Sequence, residues 1–356
     1  MWPDNRLRAL FGIDIPIVQA PMAGSSGLAM ARAVAEAGGL GSLACAPLDA
    51  EGLHNLLVET QKGTGKPINV NFFTHPQPFV ADGTDAAWLK RLAPYYKALG
   101  GRAPTELSPG VIAPFDETRC RVIEALRPAV VSFHFGLPEQ SLVDRIRAVG
   151  TKLISSATTV AEACWLVDHG CDAIIAQGYE AGGHRGMFLS EDITTQIGTM
   201  ALVPQVVDAV DVPVIAAGGI ADGRGIAAAF ALGACGVQIG TAYLFTEEAT
   251  VPEIYHATLR EAEAGHSALS NMFSGRPARC IVNEGMRKLG PMGNDRPAFP
   301  NGLSAISPLR KVAEEQGRRD FSAHYCGQAV GLGYATTARQ LTLDLAADSL
   351  RRIGVT

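Results

Sequence analysis

The chain has 356 residues, 47% of them hydrophobic and 18% charged, with 30 basic against 35 acidic side chains. A net charge of −5 argues against a nucleic-acid or anionic-membrane surface, and the low charge fraction with 39 glycines suits a large core with tight turns rather than disorder. Seven scattered cysteines with no C-x-x-C pair read as reduced thiols of a cytoplasmic protein, not as a disulfide framework.

The opening MWPDNRLRALFGID lacks the apolar stretch of a signal peptide. A first strand is predicted over 17–22, a helix over 28–37 that stops at Gly38-Gly39, a second strand over 40–45, and a helix over 50–61 behind Asp49 as N-cap. A third strand follows at 68–73. Residues 76–127 are too many for one crossover and carry helical pieces at 85–99 and 116–126, so they read as an insertion over one rim. Strands at 130–135 and 152–156 come next, then a helix over 159–169 ending at Gly170, then strands at 173–177, 214–217 and 236–241.

No charge appears between Arg224 and Glu247, a length that could span a bilayer. Gly225, Gly233, Gly236 and Gly240 cut it into a short helix and a short strand, which makes it soluble core. Beyond residue 247 the rhythm changes to a helix over 252–264, an arginine-rich stretch over 274–283 and a Pro/Gly-rich loop over 289–308. The last segment, 328–353, is again helix-like.

Eight strand–helix units, apolar on both strand faces, match a (β/α)₈ TIM barrel over residues 1–246, with a doubly wound open sheet as the alternative. A second, smaller α/β module would occupy 247–325, and 326–356 would return to the barrel.

In such barrels the active site lies at the carboxyl ends of the strands, with phosphate on the loops after strands seven and eight beside a short helix N-terminus. Gly218-Gly219 and Gly240-Thr241 stand at those two tips. Asn71 and Gln177, ending strands three and six, offer the donors and acceptor that suit a flat heterocycle, and Gly182-Gly183 lets backbone lie against a ring. His184, beyond strand six, is the leading general base, with Arg185 disfavouring its imidazolium; His134 at the tip of strand four is its rival. No metal-binding spacing, nucleophile elbow, Walker loop or dinucleotide fingerprint is present. Phosphate glycines with ring-facing amides point to flavin mononucleotide (FMN).

QAPMAG (19–24), NVNFF (69–73), SFHFG (132–136), AQGYEAGGHRG (176–186), AAGGIADG (216–223) and QIGTAY (238–243) together resemble the class I nitronate monooxygenases. The resemblance implies a TIM barrel with non-covalent FMN and a capping domain. It places the backbone of Pro21, Met22 and Ala23 against the flavin ring, with Asn71, Gln177 and Gly182 also contacting FMN. Gly218, Gly219, Gln238, Ile239, Gly240 and Thr241 would surround its phosphate, and His184 would be the catalytic base. Residues 325–328, beginning at Tyr325, resemble the family's return into the site. The implied reaction oxidises an alkyl nitronate, such as propionate 3-nitronate, with O₂ to a carbonyl compound and nitrite by way of an anionic flavin semiquinone. The partners are then small molecules only. Two rivals stand beside it: an NAD(P)H-dependent quinone or enoyl-thioester reductase on the same flavin barrel, and a barrel that binds a phosphorylated ligand without catalysis.

Overall fold

A computed structural model describes residues 1–76, 83–108, 112–262 and 266–354. Parts of the predicted insertion (77–82 and 109–111), the end of the predicted helix at 252–264, and residues 355–356 lie outside the described residues.

The eight apolar runs form eight parallel strands. They are β1 (Ile17–Gln19), β2 (Gly41–Ala44), β3 (Ile68–Phe73), β4 (Val130–His134), β5 (Lys152–Ala157) and β6 (Ala173–Gln177). After a short excursion, β7 (Gly183–His184), come β8 (Val214–Ala217) and β9 (Gly236–Ile239). The sheet runs β1-β9-β8-β6-β5-β4-β3-β2, and a parallel bridge between Val18 and Leu40 closes it into a barrel. β1 stops at Gln19, short of the expected residue 22, because Pro21 has no amide for a ladder.

Both strand faces are apolar for a visible reason. Successive residues point to opposite sides. Val18, Val130, Ile154, Ile175 and Ile215 fill the barrel, and Leu7 and Phe11 of the first helix join that cluster. Their neighbours Ile17, Val131, Leu153, Ile174 and Val214 pack outward against the helical ring. Asp49, Asp116, Thr159 and Asp222 cap ring helices with their side chains. The charge-free stretch after Arg224 divides into the helix Gly223–Ala231 and β9, and no described helix is long and apolar enough to cross a membrane.

A second core stands beside the first. β10 (Ser267–Ser270) and β11 (Ala278–Ile281) form an antiparallel pair, and β7 adds to β11 as the third strand. Met272, Phe273, Met286 and Leu309 of this module share a cluster with Trp88, Leu92 and Tyr96. The segment read as one insertion therefore divides: the helix Thr84–Ala98 packs here, while Cys120 and Ile123 of the helix Glu117–Leu126 pack on the barrel. The last helix is shorter than its predicted 328–353. It begins at Ala338, where the Thr337 hydroxyl accepts the Gln340 amide, and its Leu341 and Leu345 join the barrel's outer layer.

Candidate active site

The loop after β6 carries the densest set of constraints. Gln177 donates its amide N–H to the carbonyl of His184 at 2.9 Å and accepts the Gly186 N–H at 2.8 Å. Arg185 turns away from the mouth, giving two guanidinium N–H groups to the carbonyls of Gly178 and Gln177 at 2.6 and 2.7 Å. A Cβ on Gly182 would sit 2.5 Å from the backbone of Cys326 and Gly327, so the chain returning at 326–327 presses flat on this loop. The Gly327 N–H donates to Thr241 Oγ1 at 2.8 Å, tying that return to the tip of β9.

These braces present His184 at the seam between barrel and small sheet, where it pairs with Ala278 of β11. Its Nε2 lies 2.8 Å from Ser274 Oγ. In the tautomer in which the Ser274 hydroxyl donates onward to the Arg276 carbonyl at 3.3 Å, Oγ accepts Nε2–H and Nδ1 is the lone pair. Burial pushes the His184 pKa down to about 3, helped by His134, Arg276 and His75. The imidazole is therefore neutral across the physiological range. The cation acting on it is Arg276, not the sequence-adjacent Arg185.

His134 is differently placed. Its Nε2 meets the His184 carbonyl at 3.1 Å and its Nδ1 meets Ser156 Oγ at 3.1 Å, so both nitrogens are engaged. A carbonyl only accepts, so Nε2 carries the proton and Nδ1 accepts from serine. Burial holds this imidazole neutral as well, at about 4. His134 supports the loop that bears His184 and has no lone pair left for a substrate.

The strand-seven and strand-eight tips offer open donors. Gly218 has φ +108°, and a side chain there would meet Gly178, Ala181 and Thr199 at 3.0–3.1 Å. The amides of Gly218, Gly219 and Gly240 have no hydrogen-bond partner among the described residues. Asp222 caps the helix Gly223–Ala231 that follows β8. The short 3-10 helix Thr241–Phe245 after β9 opens at Gly240 with no side-chain cap, so the expected short helix N-terminus stands beside that glycine tip.

Gln238, on β9, has a buried Oε1 without a partner, which a bound group would satisfy. Ile239 is buried beside it, and Pro21, Met22 and Ala23 follow β1, with Met22 Sδ 3.7 Å from where a Cβ of Gly240 would lie. Asn71 is across the barrel on β3 and bonds Ser132 at 3.0 Å, with no contact to the glycine tips.

Sequence reading marked 274–283 only as arginine-rich and missed the contact of Ser274 with His184 and the charge of Arg276 upon it, because both depend on the module after residue 247 meeting the barrel.

A closed parallel barrel whose mouth holds free backbone amides on one side and a pinned, neutral imidazole on the other is the frame of a flavin-type oxidoreductase. The nitronate monooxygenase family model matches residues 4–348. Proteins named nitronate monooxygenase from Paraburkholderia phytofirmans and Pseudomonas aeruginosa are each 40% identical, over 95% of this chain and 93% and 97% of their own lengths. The crystal structure of a nitroalkane oxidase from Streptomyces ansochromogenes superposes with a TM-score of 0.87 at 38% identity, covering 99% of this chain and all of that one. FabK from Thermotoga maritima is also similar, with a TM-score of 0.75 and 27% identity over 98% of this chain and 97% of its own. The chain belongs to the nitronate monooxygenase family, and it is an enzyme.

Proposed function

We propose that this enzyme binds FMN and oxidises alkyl nitronates with O₂ to carbonyl compounds and nitrite. The observation that carries the reading is His184, held neutral at the barrel mouth with Nε2 committed to Ser274 and Nδ1 left free. Overall, two nitronates and one O₂ give two carbonyl compounds and two nitrite ions, which balances atoms and charge.

The free amides at Gly218, Gly219 and Gly240 suit a phosphate, and the unpartnered Gln238 oxygen suits a donor on the same ligand. The Pro21-Met22-Ala23 backbone, Asn71, Gly182, Ile239 and Thr241 would hold the remainder, while Gln177 acts by bracing the His184 loop. When bound, FMN supplies the electron acceptor between nitronate and O₂. The chain's own contribution is the proton. For a neutral nitroalkane the α-C–H bond breaks, its electron pair moves into a C=N bond, and the charge settles on the nitro oxygens. His184 Nδ1 takes the proton. The positive charge of Arg276 stabilises the anion as it forms.

The test is His184→Asn. It should retain FMN and oxidise preformed nitronates, yet lose about 10²–10⁴-fold on neutral nitroalkanes. Undiminished nitroalkane activity would remove His184 as the base. Anaerobic mixing separates the flavin chemistries: a nitronate alone should bleach the visible flavin absorption, whereas rapid bleaching by NADH or NADPH without nitronate would establish a reductase.

A further inference from the structure

The cation that bears on His184 also lines a second space, and its role there rests on the proposed function and deepens it. Arg276 faces a cavity of about 260 Å³ whose walls include Phe135, Trp165, Phe188, Ser190 and Glu191 but not His184. The floor is preformed. Phe135 and Gly136 stand at φ +73° and +94°, consecutive left-handed positions, and a Cβ on Gly136 would lie 3.1 Å from the Phe188 ring. The Thr74 hydroxyl holds the turn, reaching the carbonyls of His134 and Phe135 at 3.1 and 3.0 Å.

Arg276 differs from the arginines buried around it. Arg185 spends its guanidinium on Gly178, Gln177 and Gln196 at 2.6, 2.7 and 2.9 Å, and Arg279 spends its own on the carbonyls of Tyr179 and Ser267. The Arg276 guanidinium makes one long contact, 3.5 Å to the Met187 carbonyl, and no ion pair among the described residues. Glu191 and Glu162 bear on its charge from farther off, but Glu162 is occupied by Thr158 and by the amides of Phe188 and Leu189. Most of a five-donor fork is thus left for a ligand. Ser190, whose oxygen accepts the Asp192 amide, has its own hydroxyl proton to add.

The fork is also within reach of the reaction. Its central carbon stands 4.4 Å from the Phe135 ring centre, which stands 6.0 Å from the imidazole centre. Guanidinium and imidazole are therefore no farther apart than those two spans laid end to end. A carboxylate against the one and a reacting carbon against the other leave room for a short aliphatic spacer.

We infer that Arg276 is a specificity-determining residue: it binds, in this cavity, the carboxylate of a nitronate such as propionate 3-nitronate, whose reacting carbon lies at His184. A planar fork meets a carboxylate through two parallel N–H···O bonds, which a methyl group cannot accept.

Propionate 3-nitronate and propyl nitronate differ by a carboxylate in place of a methyl group, and their kcat/KM ratio in the holoenzyme reads the subsite. Both are preformed nitronates, so proton abstraction cancels. In Arg276→Gln that ratio should fall about ten- to hundredfold, mostly through KM, because charge-assisted bonds are lost. Arg276→Lys keeps the charge and should restore part of it. Glu191→Gln removes a competing charge and should raise the ratio about twofold while leaving propyl nitronate turnover unchanged. Propionate should inhibit propyl nitronate oxidation competitively, and propionamide should not. Equal losses on both nitronates in Arg276→Gln overturn the inference and leave nitronate oxidation standing. If that variant does not fold, inhibition decides: none by propionate, or as much by propionamide, overturns the inference. No turnover of either nitronate by the wild-type holoenzyme overturns the proposed function and the inference together.

Discussion

Removing the Ser274 hydroxyl should uncouple the two halves of the reaction. Ser274 is buried, and among the described residues its 2.8 Å contact with His184 Nε2 is the side-chain bond that distinguishes the two imidazole nitrogens. In Ser274→Ala the Nε2–H loses its acceptor. A hydrogen bond of this kind contributes about 0.5–1.5 kcal/mol net, and a buried donor left unpaired costs about 1–3 kcal/mol. The imidazole escapes that cost by moving its proton to Nδ1, which removes the lone pair a substrate needs. We therefore expect kcat/KM for nitroethane to fall about 10- to 100-fold, equivalent to about 1.4–2.7 kcal/mol. Ethyl nitronate has no α-proton to lose in this step, so the nitronate-to-nitroalkane ratio of kcat/KM should rise about tenfold or more. Steady-state assays with both substrates from pH 5 to 9 provide the measurement, and Ser274→Thr, which keeps the hydroxyl, should restore most of the ratio. Equal losses on both substrates would mean that Ser274 merely supports the fold. No loss on nitroethane would refute the tautomer assignment.

Two further perturbations test the frame around the site. In Gly240→Val the Cβ of the new side chain meets only Ala20 Cβ at 3.4 Å and Met22 Sδ at 3.7 Å, both ordinary contacts, so the fold should tolerate it. The space between the β1 and β9 loops narrows, and FMN affinity measured by reconstituting apoprotein should fall about tenfold or more; unchanged affinity would take the phosphate away from this tip. The pH dependence of stability follows from buried imidazoles. Burial pushes His75 and His324 down to about 4, below the 6.5 of an exposed histidine. Between those values the unfolded chain binds protons that the folded chain does not, so stability is full above about pH 6.5 and falls as pH drops toward 4. The slope from these two groups is at most about 2.7 kcal/mol per pH unit. Urea midpoints at pH 7, 6 and 5 should decline accordingly, and a flat profile would refute the burial argument.

The barrel was legible because its strands are short runs dominated by buried apolar residues, as Ile174 and Ile175 illustrate by packing on opposite sides of β6. The glycine tips were legible for the same reason of position. What escaped was anything created by distant chain segments meeting. Nothing in the stretch 76–127 signals that Trp88 and Tyr96 belong with Met272 and Leu309, while Cys120 belongs with the barrel. The helix after β8 looked free until Asp222 proved to cap it, whereas the short helix after β9 opens at Gly240 without a side-chain cap. Arg185 looked like the charge beside His184 because it is adjacent in sequence. Its guanidinium instead goes inward to two carbonyls, and the charge comes from Arg276.

The two histidines differ in what each has left to offer a substrate. His134 ends a barrel strand, the position that the barrel architecture favours for a catalytic group. Yet its tip location puts it beneath the β6 loop, where a carbonyl and a serine saturate it. His184 belongs to a two-residue strand that leaves the barrel to join the small sheet, and its side-chain hydrogen bond comes from Ser274, 90 residues further along the chain. The barrel thus supplies the rigid floor through Gln177 and His134, both bonded to the His184 carbonyl, while the small module sets the protonation of the ring above. The base proposed at His184 depends on both cores being docked. Perturbing the module's packing at Met272 or Phe273, on the segment leading to Ser274, should therefore impair proton abstraction before it affects the barrel's hold on a flavin phosphate.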